Sequence, residues 1–245
     1  MRLIVLGSSS SGNCYLLDSG EECLMIECGV PFREVEKAID FNISKISGVL
    51  VSHEHSDHAG FVKNCIEARR VCYMSSGTRH ALNLPLSSVV QMAPSMTYRI
   101  GGFLVQPFHT EHDCAEPFGF YIAHKECGRV VFATDTRSMD YTFNGLNNIM
   151  IECNYMENIL LENCSRGLIY KGRAERVRRA HLSLPSCIEF LKANDLTHVN
   201  NIVLIHLSNE NAKADLFQQV ISRETGKNVI VARKGLVADF NVTPF

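Results

Sequence analysis

Val51-Ser-His-Glu-His-Ser-Asp-His-Ala-Gly60 places three histidines and two acids within six consecutive residues, directly after the apolar run Ile46 to Val51. Gathering so many ionisable groups in one place is costly unless a metal ion compensates them. Ile46 to Val51 has the length and composition of a buried strand, and Asp57 to Arg70 has the spacing of an amphipathic helix. The donors therefore sit on a strand-to-helix turn. In an open α/β sheet such turns lie at the carboxyl edge of the strands, where rigid backbone holds side chains around a ligand.

Spacing assigns the first roles. His53 and His55 stand two apart, so on extended backbone they share a side and can grip one ion. Asp57 and His58 continue round the turn toward a second. Imidazole with carboxylate suits Zn2+, Mn2+ or Fe, and no cysteine pair stands beside them to close a structural zinc site. Three later segments offer more donors. Arg129-Val-Val-Phe-Ala-Thr-Asp135 is apolar until its final carboxylate, which needs positive charge opposite it. Asn201-Ile-Val-Leu-Ile-His206 is apolar until its final imidazole, and Phe108-His-Thr-Glu-His112 supplies His109 and His112. Each alone reads as a satisfied core histidine or a turn aspartate; in order, each beside a strand end, they read as ligands.

The His-x-His-x-Asp-His pattern of residues 53 to 58 resembles the signature of the metallo-β-lactamase superfamily. That resemblance implies an α/β fold, a four-layer αββα sandwich with a metal site at one sheet edge, and further ligands in the order His, bridging Asp, His. His112, Asp135 and His206 match that order. The segment Asp113-Cys-Ala-Glu-Pro117 after it favours His112 over His109 by likeness to relatives. The implied cofactors are two divalent ions (Zn, Mn or Fe). His53, His55 and His112 would hold one, Asp57, His58 and His206 the other, with Asp135 shared. Such a pair lowers the pKa of a bridging water and clamps the oxygens of the bond under attack, which makes hydrolysis the expected chemistry, with Asp57 counted among the catalytic residues.

The bond cleaved depends on residues beyond the ligands. Ala180-His-Leu-Ser183 resembles the His-[Ser/Leu]-[Thr/Ser] element of ribonuclease Z-like phosphodiesterases, whose His meets the scissile phosphate and helps the leaving oxygen depart. By the same likeness Glu152, ending Asn148-Ile-Met-Ile-Glu152, is the carboxylate that orients His181 and keeps it protonated. The plainer alternative makes His181 a polar residue before a helix capped by Ser183 or Ser186, with Pro185 in its first turn. Lys171 to Arg179 carries five basic residues in nine positions. Arg173, Arg176, Arg178 and Arg179, with Ser183, are candidates for substrate contact, and a solvated helix face is the competing explanation.

Gly7-Ser-Ser-Ser-Ser-Gly-Asn-Cys14, Met25-Ile-Glu-Cys-Gly29, Ala133-Thr-Asp135, Ile151-Glu-Cys-Asn154 and His206-Leu-Ser-Asn209 together resemble the YycJ/WalJ group of this superfamily, from Met1 to about Asn211. Its members are regarded as double-stranded DNA exonucleases working from a 5′ end with divalent metal, so the resemblance implies a nucleic acid substrate, DNA above RNA. Glu27 stands where the group has an Asp, and Ile159 to Arg173 matches no pattern of it. The turn Ser8 to Asn13 has the composition of any tight strand connection, and its amides could also cradle a phosphate.

Composition agrees. A chain of 245 residues, 46% hydrophobic, can bury one large core, and scattered prolines without low-complexity runs point to a single domain over 1–245. Expected strands are Arg2–Leu6, Cys14–Leu17, Cys23–Glu27, Val71–Ser75, Tyr98–Gln106, Gly119–Ala123 and Asn228–Ala232, the last closing the sheet. Expected helices include Arg33–Phe41, Ser186–Asn194 and Lys213–Thr225. Ten cysteines without a Cys-x-x-Cys pair, and an N-terminus unlike a signal peptide, point to reduced thiols in the cytoplasm. No apolar run reaches membrane-spanning length. Three function classes follow: a nucleic acid phosphodiesterase, a metal hydrolase of a small ester, thioester or lactone, and a noncatalytic binding module. The complete ligand set disfavours the third; His181 separates the first two.

Overall fold

Alternation along the strands sorts side chains into an inner and an outer face, and both faces are apolar, which requires a cover on each side. The computed structural model describes residues 1–243. Its elements are β1 (Arg2–Gly7), β2 (Cys14–Asp18), β3 (Cys23–Ile26), α1 (Phe32–Ala38), β4 (Ile46–Leu50), α2 (Ser56–Ala59), α3 (Val62–Glu67), β5 (Cys72–Met74), α4 (Ser76–Ala81) and β6 (Val89–Gln91). There follow β7 (Tyr98–Ile100), β8 (Phe103–His109), β9 (Phe118–His124), β10 (Gly128–Ala133), β11 (Asn148–Glu152), α5 (Glu157–Ser165), α6 (Lys171–Ala180), α7 (Leu184–Ala193), β12 (Asn201–Ile205), α8 (Ala214–Thr225), β13 (Asn228–Val231) and β14 (Val237–Asp239).

The strands form two seven-stranded sheets, ordered β14-β1-β2-β3-β4-β5-β6 and β13-β12-β11-β10-β9-β8-β7. Their inner faces meet in one core, where Leu3, Val5, Tyr15, Leu17, Leu24 and Ile26 pack against Phe120, Ile122, Val130, Phe132, Met150 and Val203. The Tyr15 and Phe132 rings meet edge to face across it, 5.6 Å apart. On the outer face of the first sheet, Val35, Val62 and Cys65 from α1 and α3 cover Leu16, Met25 and Val49. On that of the second, Phe190, Leu191, Phe217 and Ile221 from α7 and α8 cover Val131, Ile149, Ile151, Ile202 and Leu204. The layers are αββα, as the resemblance implies. β10, β11, β12 and β13 run parallel, so β10, β11 and β12 end at one edge.

Several expected elements differ in detail. The helix expected over Asp57–Arg70 is two pieces, because Phe61 N bonds to Cys28 O rather than continuing the helical ladder. The alternation over Tyr98–Gln106 spans a hairpin: Gly101 turns the chain at φ 58°, so β7 and β8 pair with each other. Asn228–Ala232 forms an edge of the second sheet but does not end the pattern, since β14 returns to pair with β1. The unmatched stretch Ile159–Arg173 is most of α5 and the start of α6. No helix among the described residues is long and apolar enough to cross a membrane.

Candidate metal centre

The turn after β4 delivers its donors as the spacing requires. His53 Nε2 and His112 Nε2 each lie 3.1 Å from His55 Nδ1. Nitrogens bound to one zinc-like ion at 2.0–2.1 Å stand about 2.9–3.4 Å apart, so these three define the face of a coordination sphere. Beside them Asp57, His58, Asp135 and His206 bring four donor atoms within 4.8 Å of one another. Asp57 Oδ2 is 3.2 Å from His58 Nε2 and 3.4 Å from His206 Nε2. Asp135 Oδ2 lies 2.8 Å from His58 Nε2 and 3.4 Å from His53 Nε2, so one oxygen faces both groups. His109 is exposed, its ring against Phe118, and takes no part.

Without a cation the cluster is incomplete as polar chemistry. Asp135 Oδ1, His206 Nε2 and His58 Nδ1 are buried and make no hydrogen bond of good geometry, although Asp135 Oδ1 lies 2.5 Å from His206 Nδ1 and His206 Nε2 3.4 Å from Asp57 Oδ2. Burial pushes the His53 and His112 imidazoles below their ordinary pKa, toward the neutral ring that binds metal, whereas at His58 and His206 burial is outweighed by Asp135 and Asp57, which raise theirs, so an ion there would displace protons. Burial works against the charge of Asp57 and Asp135, yet the neighbouring histidines hold both carboxyls well below the usual range. The donor set is therefore two deprotonated carboxylates among imidazoles. It fits divalent metal.

Partners behind the ligands fix their rings. His53 Nδ1 is 2.8 Å from Ser52 Oγ and His112 Nδ1 is 2.8 Å from the Ala180 carbonyl. Glu27 is fully buried, accepts from Ser52 N and faces His58 Nδ1 at 3.6 Å. Such partners set the tautomer and aim of a ligating imidazole. Glu27, Asp135 and His206 adopt left-handed backbone, with φ of 65°, 44° and 52°, which non-glycine residues accept only where their surroundings impose it. Glu27 and His206 stand directly after β3 and β12, and Asp135 stands two residues after β10.

Glu152 carries the other half of the arrangement. Its Oε1 is 2.7 Å from His181 Nδ1 and 3.1 Å from His206 Nδ1, while Oε2 accepts from Thr136 N and Leu182 N. One buried carboxylate thus orients both His181 and the candidate ligand His206. Burial opposes charge on His181, but Glu152 and Asp135 raise its pKa to about 9. His181 lines a cavity of about 370 Å3 together with His55, Asp57, His112, Asp135 and His206.

The wider set of expected substrate contacts narrows. Arg173 and Arg176 line the same cavity, paired to Glu210 at 2.9 Å and Asp113 at 2.9 Å. Arg178 and Arg179 do not. Helical rotation turns Arg178 onto Glu157 of α5 at 2.6 Å and points Arg179 outward. Ser183 is the N-cap of α7, its Oγ accepting from Ser186 N, so that hydroxyl is committed to the helix and Ser186 is not the cap. Asn13 escaped the sequence reading. It is buried, and its Nδ2 lies 3.3 Å from Asp57 Oδ2 and 3.1 Å from His58 Nε2. A fully apolar strand following it in Cys14–Leu17 was the available signal that Asn13 sits at a strand end facing inward.

A family model for the metallo-beta-lactamase superfamily matches residues 9–141, more than half of the chain. Exodeoxyribonuclease YycJ of Bacillus anthracis is 30% identical over 167 residues, and the chain spans 62% of that protein's length, with 62% of its own aligned. Exodeoxyribonuclease WalJ of Streptococcus pneumoniae is 25% identical over 97% of this chain and 91% of that protein. The metallo-beta-lactamase fold protein YhfI from Bacillus subtilis superposes with a TM-score of 0.73 at 16% identity, over 97% of this chain and 98% of that one, a likeness of fold. The donors gathered from both sheets, the αββα layers and the match over residues 9–141 agree: the chain belongs to the metallo-β-lactamase superfamily, as one of its metal-dependent hydrolases.

Proposed function

We propose that the protein is a phosphodiesterase of nucleic acid, a DNA exonuclease working from a 5′ end, that uses two divalent ions. The observation that carries this reading is the pairing of His181 with Glu152 at 2.7 Å on the wall of the metal cavity. His53, His55 and His112 would hold one ion, Asp57, His58 and His206 the other, and Asp135 would face both. Bound there, zinc, manganese or iron supplies Lewis acidity and a water that ionises near neutral pH. The remaining work falls to side chains. His181, kept protonated, donates to the oxygen that leaves, a task a small ester with a good leaving group does not set. Arg173 and Arg176 neutralise phosphate oxygens beside it. The names of the two exodeoxyribonuclease relatives support DNA as the polymer.

End-labelled single- and double-stranded DNA and RNA, offered with each metal in turn, test the reading. Label release from 5′-labelled duplex DNA first is the expected result. His181→Ala should keep its metal and lose about 10²–10⁴-fold in turnover. Full activity of that variant on DNA would overturn the role of His181, and indifference together with hydrolysis of small esters would mark a small-ester hydrolase instead.

A further inference from the structure

A second and larger groove, about 980 Å3, opens beside the metal cavity and shares Leu207 and Ser208 with it as a common wall. Ligand pockets for single small molecules span about 300–1,000 Å3, so cavity and groove together exceed what one small substrate needs. The turn between β1 and β2 is the rim between them: Ser10 faces the metal cavity, while Ser8, Ser9 and Ser11 face the groove. At the groove wall stand Arg233 and Lys234, both exposed, in a chain whose net charge is -2. No acid among the described residues pairs with Arg233. Lys234 has only Glu34 at 3.7 Å, and Asp215 at the start of α8 is the acid lining the groove. The metal cavity has its own pair of cations, Arg173 and Arg176.

We infer that this groove is a second nucleic acid subsite, which holds the strand as it continues past the metal centre, with Arg233 and Lys234 neutralising its phosphates. The inference rests on the nuclease reading above and extends it, because it gives the polymer a path: Arg173 and Arg176 on one side of the reacting phosphate, the Ser8–Ser11 rim and the Arg233–Lys234 corner on the other. A groove with cations along it and few aromatics tracks backbone rather than reading bases.

The test is binding of a fluorescein-labelled phosphorothioate DNA oligonucleotide to the metal-loaded protein, followed by anisotropy across a salt series. Arg233→Ala/Lys234→Ala should weaken binding about tenfold at low salt and flatten the log-log salt slope by about 1.4–2, two phosphate contacts' worth. Lys192→Ala/Arg223→Ala, which removes two charges from α7 and α8 away from the groove, should leave the slope unaltered. Asp215→Lys should tighten binding, a change that partial unfolding does not produce. Turnover of bis(p-nitrophenyl) phosphate, too short to reach the groove, should match the wild type in all three variants. Wild-type affinity and slope in the Arg233/Lys234 variant, with no gain from Asp215→Lys, would overturn the groove alone. If the wild-type protein binds no oligonucleotide while hydrolysing the small diester, the nuclease reading falls and the groove with it.

Discussion

Glu27 shows how a single buried residue governs a site it does not enter. It lies behind His58, holds the backbone of the metal turn through Ser52 N, and needs left-handed backbone to do so. Its carboxylate stands 3.6 Å from the ring, so it orients by charge more than by a tight bond. Glu27→Ala should lower metal affinity about 10–100-fold, read as metal retained against a chelator series. Asp18 governs stability in the same quiet way. Its buried carboxylate meets Lys45 at 2.5 Å and Arg2 at 2.7 Å, and these bonds outweigh burial and lower its pKa. A lowered folded pKa means the stabilisation is complete above the unfolded value of about 3.9 and fades as pH falls through the folded one. Asp18→Asn should therefore cost about 2–4 kcal/mol in urea unfolding at neutral pH. The gap to wild type should shrink only once the pH drops below about 4.

Among the elements, the junction of α6 and α7 has the most local control over chemistry. α6 ends at Ala180, whose carbonyl fixes His112; His181 and Leu182 then run extended past Glu152, and Ser183 starts α7. A helix end, an acid and a helix start thus pin three consecutive residues between them. Ser183→Ala should destabilise by about 1 kcal/mol through the lost cap, with metal content unaffected. Loss of activity on DNA beyond what that destabilisation explains would show that the cap also positions His181. The split between α2 and α3 has a comparable reason: the bond from Phe61 N to Cys28 O ties the metal turn to the end of β3, and a continuous helix would forgo it.

At the scale of the molecule, the donors of the centre belong to opposite sheets. His53, His55, Asp57 and His58 follow β4 of the first; His112, Asp135 and His206 follow β8, β10 and β12 of the second. Bound metal therefore links the two layers and binds the folded chain alone. Saturation at a hundredfold excess over Kd adds about 2.7 kcal/mol, which for a chain this size raises Tm by about 5–10 °C. Chelation should remove that increment in a thermal scan, and readdition of the metal should restore it. An unchanged Tm would mean that metal does not bind the folded chain in preference to the unfolded one.

The turn at 51–60 was legible because its signal is local. Donor spacing of two on a strand end, followed by a helical pattern, specifies geometry within one turn of chain, and the apolar runs ending in Asp135, Glu152 and His206 carry the same message at three further strand ends. Order along the chain added the αββα layers through likeness to a family. The sequence by itself therefore determined the candidate donor residues and, through the family likeness, the layers and the hydrolase class. What it could not determine depends on directions in space. That Arg178 turns to Glu157 while Arg173 and Arg176 line the cavity, that Asn13 reaches Asp57 across forty-four residues, and that one carboxylate of Glu152 serves both His181 and His206 are outcomes of how the two sheets stack. Helix rotation and long-range approach are set by the whole core, and no short stretch of residues encodes them.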